Sequence, residues 1–108
     1  MLKIDLEKND KELLLALDGR LDTASSPELE ELLKEQLPEV SALTIDMEKL
    51  EYVSSAGLRV LMFARRELKK QGSDAMKLTH VNGIIMEIFE VTGFSDIFDI
   101  EAAEEPEA

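Results

Sequence analysis

Residues 52–58 read Tyr52-Val53-Ser54-Ser55-Ala56-Gly57-Leu58. Behind them lies Leu43-Thr44-Ile45-Asp46-Met47, a short apolar run bounded by polar residues that predicts an interior strand. Ahead of them, apolar residues recur at helical spacing from about Ala56 to Gln71, with Gly72 as a C-cap. The two serines therefore close a loop between a strand and a helix, and that junction gives an α/β reading. A hydroxyl at the helix start lies beside unpaired backbone N–H groups and the positive end of the helix dipole, which would accommodate a phosphate. The pair is a candidate switch.

Working outward, Leu2, Ile4 and Leu6 alternate with Lys3, Asp5 and Glu7, which predicts a half-buried strand, and Asn9-Asp10 supplies a turn. Residues 12–18 are more uniformly apolar (Leu13-Leu14-Leu15-Ala16-Leu17). They predict a second strand that pairs with the first as a hairpin, is covered on both faces and ends at Gly19. Ser26 reads as an N-cap with Pro27 at the first helical position, and Leu29, Leu32, Leu33 and Leu37 follow at helical spacing up to Pro38. Met76-Lys77-Leu78-Thr79 predicts a fourth strand. Val81, Ile84, Ile85, Ile88 and Phe89 form the stripe of a third helix with Gly93 as its C-cap. Phe94, Ile97, Phe98 and Ile100 add a final turn or short edge strand. The order β-β-α-β-α-β-α predicts a mixed sheet of four to five strands with crossover helices. One domain over residues 1–100 is expected, followed by a disordered acidic tail at 101–108.

The chain has 108 residues, 44% apolar and 33% charged, as in a globular domain rather than a disordered one. Twelve Lys and Arg against 24 Asp and Glu give a net charge of −12. This argues against nucleic acid and against an anionic membrane surface, and for a protein partner with a basic face. The absence of cysteine excludes disulfides and thiolate metal sites. No apolar run approaches the roughly 20 residues of a membrane span, and Met1-Leu2-Lys3-Ile4-Asp5 lacks the design of a signal peptide, so the sequence reads as cytoplasmic. The acids show no ligand spacing and no nucleotide-binding glycine motif occurs, so neither a metal nor a cofactor is expected.

At about 100° per residue, Gly57, Val60, Leu61, Ala64 and Leu68 fall on one arc of the helix after the serines and should face the sheet. The opposite arc holds Ser55, Arg59, Met62, Arg66 and Lys70, with Phe63 at its margin. Five of the twelve basic residues lie between positions 59 and 70, so this is a cationic face in an acidic protein. A solvated helix face is one reading of the stripe. Its start at a candidate modification site and its two large apolar side chains, Met62 and Phe63, favour a docking face.

Four short runs in order resemble the STAS domain family, and within it the free-standing bacterial anti-sigma factor antagonists. They are Gly19-Arg20-Leu21-Asp22 with Thr23 and Ala24, Ile45-Asp46-Met47 with Leu50, the Tyr52–Leu58 loop, and Phe89-Glu90-Val91-Thr92-Gly93-Phe94. The resemblance covers residues 1 to 100 and implies the STAS fold. It also implies a non-enzymatic protein that, when unphosphorylated, binds an anti-sigma factor and so frees a sigma factor. The anti-sigma factor would be an ATP-dependent serine kinase of histidine-kinase-like fold. Its phosphorylation of the loop serine would end binding, and a PP2C-type phosphatase would restore it. The family loop usually reads Asp-Ser-(Ser/Thr/Ala)-Gly. Aligning its glycine with Gly57 puts the acceptor at Ser55, with Ser54 standing at the aspartate position as the second candidate. Joined to the helix stripe, these give a candidate partner-binding set of Asp22, Ser54, Ser55, Gly57, Arg59, Met62, Phe63 and Arg66. Asp22 reads equally as a partner contact, a group orienting the serine, or a turn and capping residue.

A serine hydrolase would need His80, the single histidine, as base, and Gly-x-Ser-x-Gly is absent. His80 reads instead as a loop residue after the fourth strand. Within the same fold the rivals are a non-phosphorylated adaptor, such as a cytoplasmic subunit of a lipid-transport ABC system, and a partner-switch protein acting outside transcription.

Overall fold

The computed structural model describes residues 1–103. Its strands are β1 (Leu2–Asn9), β2 (Glu12–Leu21), β3 (Ala42–Val53), β4 (Met76–Val81) and β5 (Asp99–Ala102). Its helices are α1 (Ser26–Gln36), α2 (Ser55–Lys70) and α3 (Gly83–Thr92), with a short 3₁₀ turn at Phe94–Asp96. The sheet has the order β1-β2-β3-β4-β5. β1 pairs antiparallel with β2, and every later pair is parallel. The C-terminal segment thus forms both the turn and the edge strand that the sequence offered as alternatives.

Each parallel step crosses the sheet in the same direction, and such crossovers are right-handed, so the helices share one face. Burial agrees. Leu13, Leu15 and Leu17 of β2, Leu43, Ile45 and Met47 of β3, and Met76 and Leu78 of β4 all lie in one core with Leu29, Leu33, Leu61, Leu68, Ile85 and Phe89. The alternate positions look outward. Leu14 is 39% exposed, and Ala16 and Thr44 are half-buried. Coverage of β2 on both faces is therefore corrected: its run of five apolar residues straddles a covered and a bare face. Fully burying one such leucine is worth about 1.5–3 kcal/mol.

Two strands run further than their apolar centres suggest. β2 does not end at Gly19 but passes through register shifts on either side of it and continues to Leu21. Gly19 takes φ +114°, and an added Cβ there would collide with the Met1 carbonyl oxygen, so the bulge requires glycine. β3 runs 12 residues, but β4 pairs only with residues 43–46 of it. Its C-terminal half therefore extends past β4 alongside the end of β2. One carbonyl on this extension is met by a side chain, since Asn82 Nδ2 donates to the Leu50 oxygen at 2.9 Å. Asn82 also caps α3 by accepting from the Ile85 N–H at 3.0 Å.

Smaller shifts have local causes. The hairpin turn is Asp10-Lys11, with Asp10 at φ 56°, because Asn9 still pairs with Glu12. Ser25 rather than Ser26 occupies the cap position of α1, and Val81 ends β4 instead of opening α3. His80 lies inside β4 rather than after it. The expected domain boundary at residue 100 falls within β5, where Lys77 Nζ lies 3.7 Å from Glu101 and the Ala103 N–H donates to the Val81 carbonyl. The rest of the expected tail, 104–108, lies outside the described residues. No helix among the described residues is long and apolar enough to cross a membrane.

Candidate functional site

The long extension of β3 delivers Ser54 and Ser55 to the end of the sheet where β2 also finishes. The Ser54 N–H donates to the Leu21 carbonyl at 2.9 Å, which ties the loop to the last residue of β2. Ser54 is the N-cap of α2: its Oγ accepts from the Gly57 N–H at 3.2 Å, and its carbonyl accepts from the Leu58 N–H at 2.9 Å. Ser55 is the first helical residue and is exposed, and among the described residues no hydrogen bond engages its Oγ. The two adjacent serines thus differ in chemistry. One hydroxyl holds the helix end, and the other is available.

Gly57 packs this turn against β2. A Cβ at Gly57 would stand 2.8 Å from Leu21 Cγ and 2.9 Å from the Leu21 carbonyl oxygen. Gly57 is buried, and its part here is to let α2 start close enough to β2 to present Ser55.

Along α2, Gly57, Val60, Leu61, Ala64 and Leu68 are buried, as the helical projection required, while Ser55, Arg59, Arg66 and Lys70 are exposed. Met62 and Phe63 depart from the expected exposed pair. Both are half-buried and pack on the core. Phe63 points into the seam between α1 and α2, where it lines two shallow grooves of about 370 and 350 Å³. The groove nearer the serines carries Thr23, Ala56, Arg59 and Arg66 on its walls.

Asp22 acts as a turn residue. Its Oδ1 accepts from the Ser25 N–H at 3.0 Å and from the Ala24 N–H at 3.1 Å. Ser25 Oγ, itself buried, lies 2.7 Å from the Arg20 carbonyl and accepts from the Asp22 N–H at 2.9 Å. Ser26 Oγ donates to the Asp22 carbonyl at 2.5 Å. This network turns the chain from β2 into α1. The Ser25 N–H bond, assisted by the Ser25 hydroxyl and the Ala24 N–H, holds the Asp22 carboxyl below its ordinary value of 3.8. Among the described residues Asp22 makes no hydrogen bond to Ser55.

Beside this turn is a feature that the sequence reading passed over. Arg20 and Tyr52 are register partners across β2 and β3, and the Arg20 guanidinium carbon stands 4.6 Å from the Tyr52 ring centroid. Arg20 Nε is 3.9 Å from Asp22 Oδ2. The available signal was position. Each residue lies two places before a residue already singled out, Asp22 or Ser54, at the ends of strands that turned out to be neighbours. His80 has no part in this site, since its Nδ1 lies 3.1 Å from Asp46 Oδ1 on the bare sheet face.

The STAS domain family profile matches residues 3–106. The chain belongs to the STAS domain family. This STAS domain is 30% identical over 104 residues to the anti-sigma-B factor antagonist of Bacillus subtilis (strain 168), which covers 96% of this chain and 94% of that protein. Its fold is shared by an anti-sigma factor antagonist from Mycobacterium paratuberculosis, with TM-score 0.82, 20% identity, and 94% of this chain and 86% of that one covered. It is also shared by SpoIIAA, an anti-sigma factor antagonist solved in unphosphorylated and phosphorylated forms. TM-score is 0.73 for each, with 15% and 18% identity, 95% and 94% of this chain, and 90% and 93% of those chains covered. At such identities the solved structures speak to the fold. Asp and Ser are comparable N-caps, so Ser54 satisfies this helix end as an aspartate would.

Proposed function

We propose that this chain is a non-enzymatic, cytoplasmic anti-sigma factor antagonist whose partner binding is switched by phosphorylation of Ser55. Unphosphorylated, it binds an anti-sigma factor that is also an ATP-dependent serine kinase, and so frees the sigma factor. A PP2C-type phosphatase resets it. The observation that carries this reading is the division of labour between the two serines: Ser54 Oγ is used as the helix cap, while Ser55 is exposed at the first residue of α2 and, among the described residues, its Oγ is unengaged. The same exposure favours a switch over a non-phosphorylated adaptor.

A phosphate at Ser55 adds about −1.5 to −2 charges and three acceptor oxygens. The helix dipole and the unpaired N–H groups of the first turn tolerate it in the free protein. At a docking surface built from Ser55, Arg59, Met62, Phe63 and Arg66, the same group blocks close approach and changes the sign of the local charge. Asp22 and Ser54 support this surface by shaping its two turns.

Calorimetric titration of the cognate kinase with wild type, Ser55→Ala and Ser55→Asp tests the reading. Ser55→Ala should bind within about twofold of wild type without being modified, and Ser55→Asp should bind roughly tenfold or more weakly. Equal binding of Ser55→Asp and wild type would remove Ser55 as the switch.

A further inference from the structure

The switch surface has a chemical character that the bulk charge hides. The chain as a whole carries −12, yet the first turn of α2 holds no acid, and Arg59 and Arg66 are exposed behind Ser55. On the other side of the loop Arg20 is 52% exposed in its side chain. Against these three arginines the loop segments carry two acids, Asp22, whose carboxylate lies 3.9 Å from Arg20 Nε, and Glu51. Glu30, on the groove wall, is paired with Lys34 at 3.2 Å. With the positive end of α2 added, the ground around Ser55 is a cationic island in an acidic protein.

Arg20 is the member of this island that is held in place before any partner arrives. Its guanidinium lies over Tyr52, the one exposed Phe or Tyr ring among the described residues, at 37% exposure. Asp22 lies 3.9 Å from Nε, and with the side chain 52% exposed the guanidinium keeps donors for a further carboxylate. A stacked arginine has already given up much of its rotamer freedom, which lowers the cost of binding through it. Arginine and tyrosine are also the residue types on which interface energy concentrates.

We propose that the Arg20–Tyr52 pair is a docking anchor that receives a carboxylate of the kinase. It would extend the interface from α2 across the Ser54–Ser55 loop onto the ends of β2 and β3, against an acidic partner surface. The inference rests on the kinase reading above and adds the chemistry of the partner. It reverses what the net charge suggested, since the partner's contact face is acidic, and phosphorylation of Ser55 then sets like charges against each other.

The test uses the full chain and the serine kinase purified by its ability to phosphorylate it. Arg20→Ala should weaken binding roughly tenfold and Arg20→Glu more. Tyr52→Ala should weaken it about fivefold, while Tyr52→Phe, which keeps the ring face, should stay within about twofold. Wild-type affinity should fall with added salt, and less steeply for Arg20→Ala. Far-UV circular dichroism and thermal melts should show every variant folded at the assay temperature, which separates docking from folding. Lys8→Ala, at the opposite end of the sheet, is the charge-matched control and should bind as wild type. Failure to recover from the source cell any kinase that phosphorylates wild type would overturn the kinase reading and this inference together. Wild-type binding that is insensitive to Arg20→Glu and to salt would overturn this inference alone.

Discussion

Replacing Gly57 by alanine sets two opposed effects against each other at the turn that presents Ser55. In an open helix, alanine is favoured over glycine by about 0.5–1 kcal/mol. At Gly57 the new Cβ would stand 2.8 Å from Leu21 Cγ, 2.9 Å from its carbonyl oxygen and 3.0 Å from Cδ2. The carbonyl cannot move aside, because it accepts the Ser54 N–H at 2.9 Å, and Leu21 itself is fully buried. Overpacking of this kind costs about 1–3 kcal/mol. The crowding wins, for a net loss of about 1–2 kcal/mol. For a domain of this size that is a fall in Tm of about 5–15 °C. Thermal and urea denaturation followed by far-UV circular dichroism read it directly. A Gly57→Ala protein as stable as wild type or more so would mean that α2 does not start against Leu21, and the placement of the loop would be wrong.

Two further outcomes follow from the same geometry. Ser54→Ala should cost about 1 kcal/mol in urea denaturation by removing the cap, while Ser54→Asp should retain it; equal loss in both would refute the cap. The Asp22 carboxyl is held below 3.8, so its hydrogen bonds stabilise the fold fully above that unfolded value and are lost as pH falls through the lower folded one. The stability gap between wild type and Asp22→Asn should therefore be constant near neutral pH and narrow below about pH 4, and a gap that widened in acid would contradict the assignment.

The parts of the fold legible in the sequence were those where one physical requirement dominates. The buried arc of α2 follows from helical periodicity alone, and Gly93, at φ 81°, is the left-handed cap expected of α3. Strand lengths were less legible because register shifts break the alternation: β2 slips around Gly19, and β3 carries three outward positions within Glu48–Glu51. Which face of β2 is bare could not be read from Leu13–Leu17, since coverage is decided by three crossovers stepping the same way. At the site, the two serines and the cationic helix were visible, but the roles of Asp22 and Gly57 were not. Both depend on the ends of β2 and β3 coming together, as does the stacking of Arg20 on Tyr52.

Site-resolved mass spectrometry of the chain, after incubation with its cognate serine kinase and ATP, bears most directly on Ser55 as the switched residue. A single phosphate on Ser55, with Ser54 unmodified, is the predicted result. A phosphate on Ser54 with Ser55 left free, or on neither serine, would contradict it.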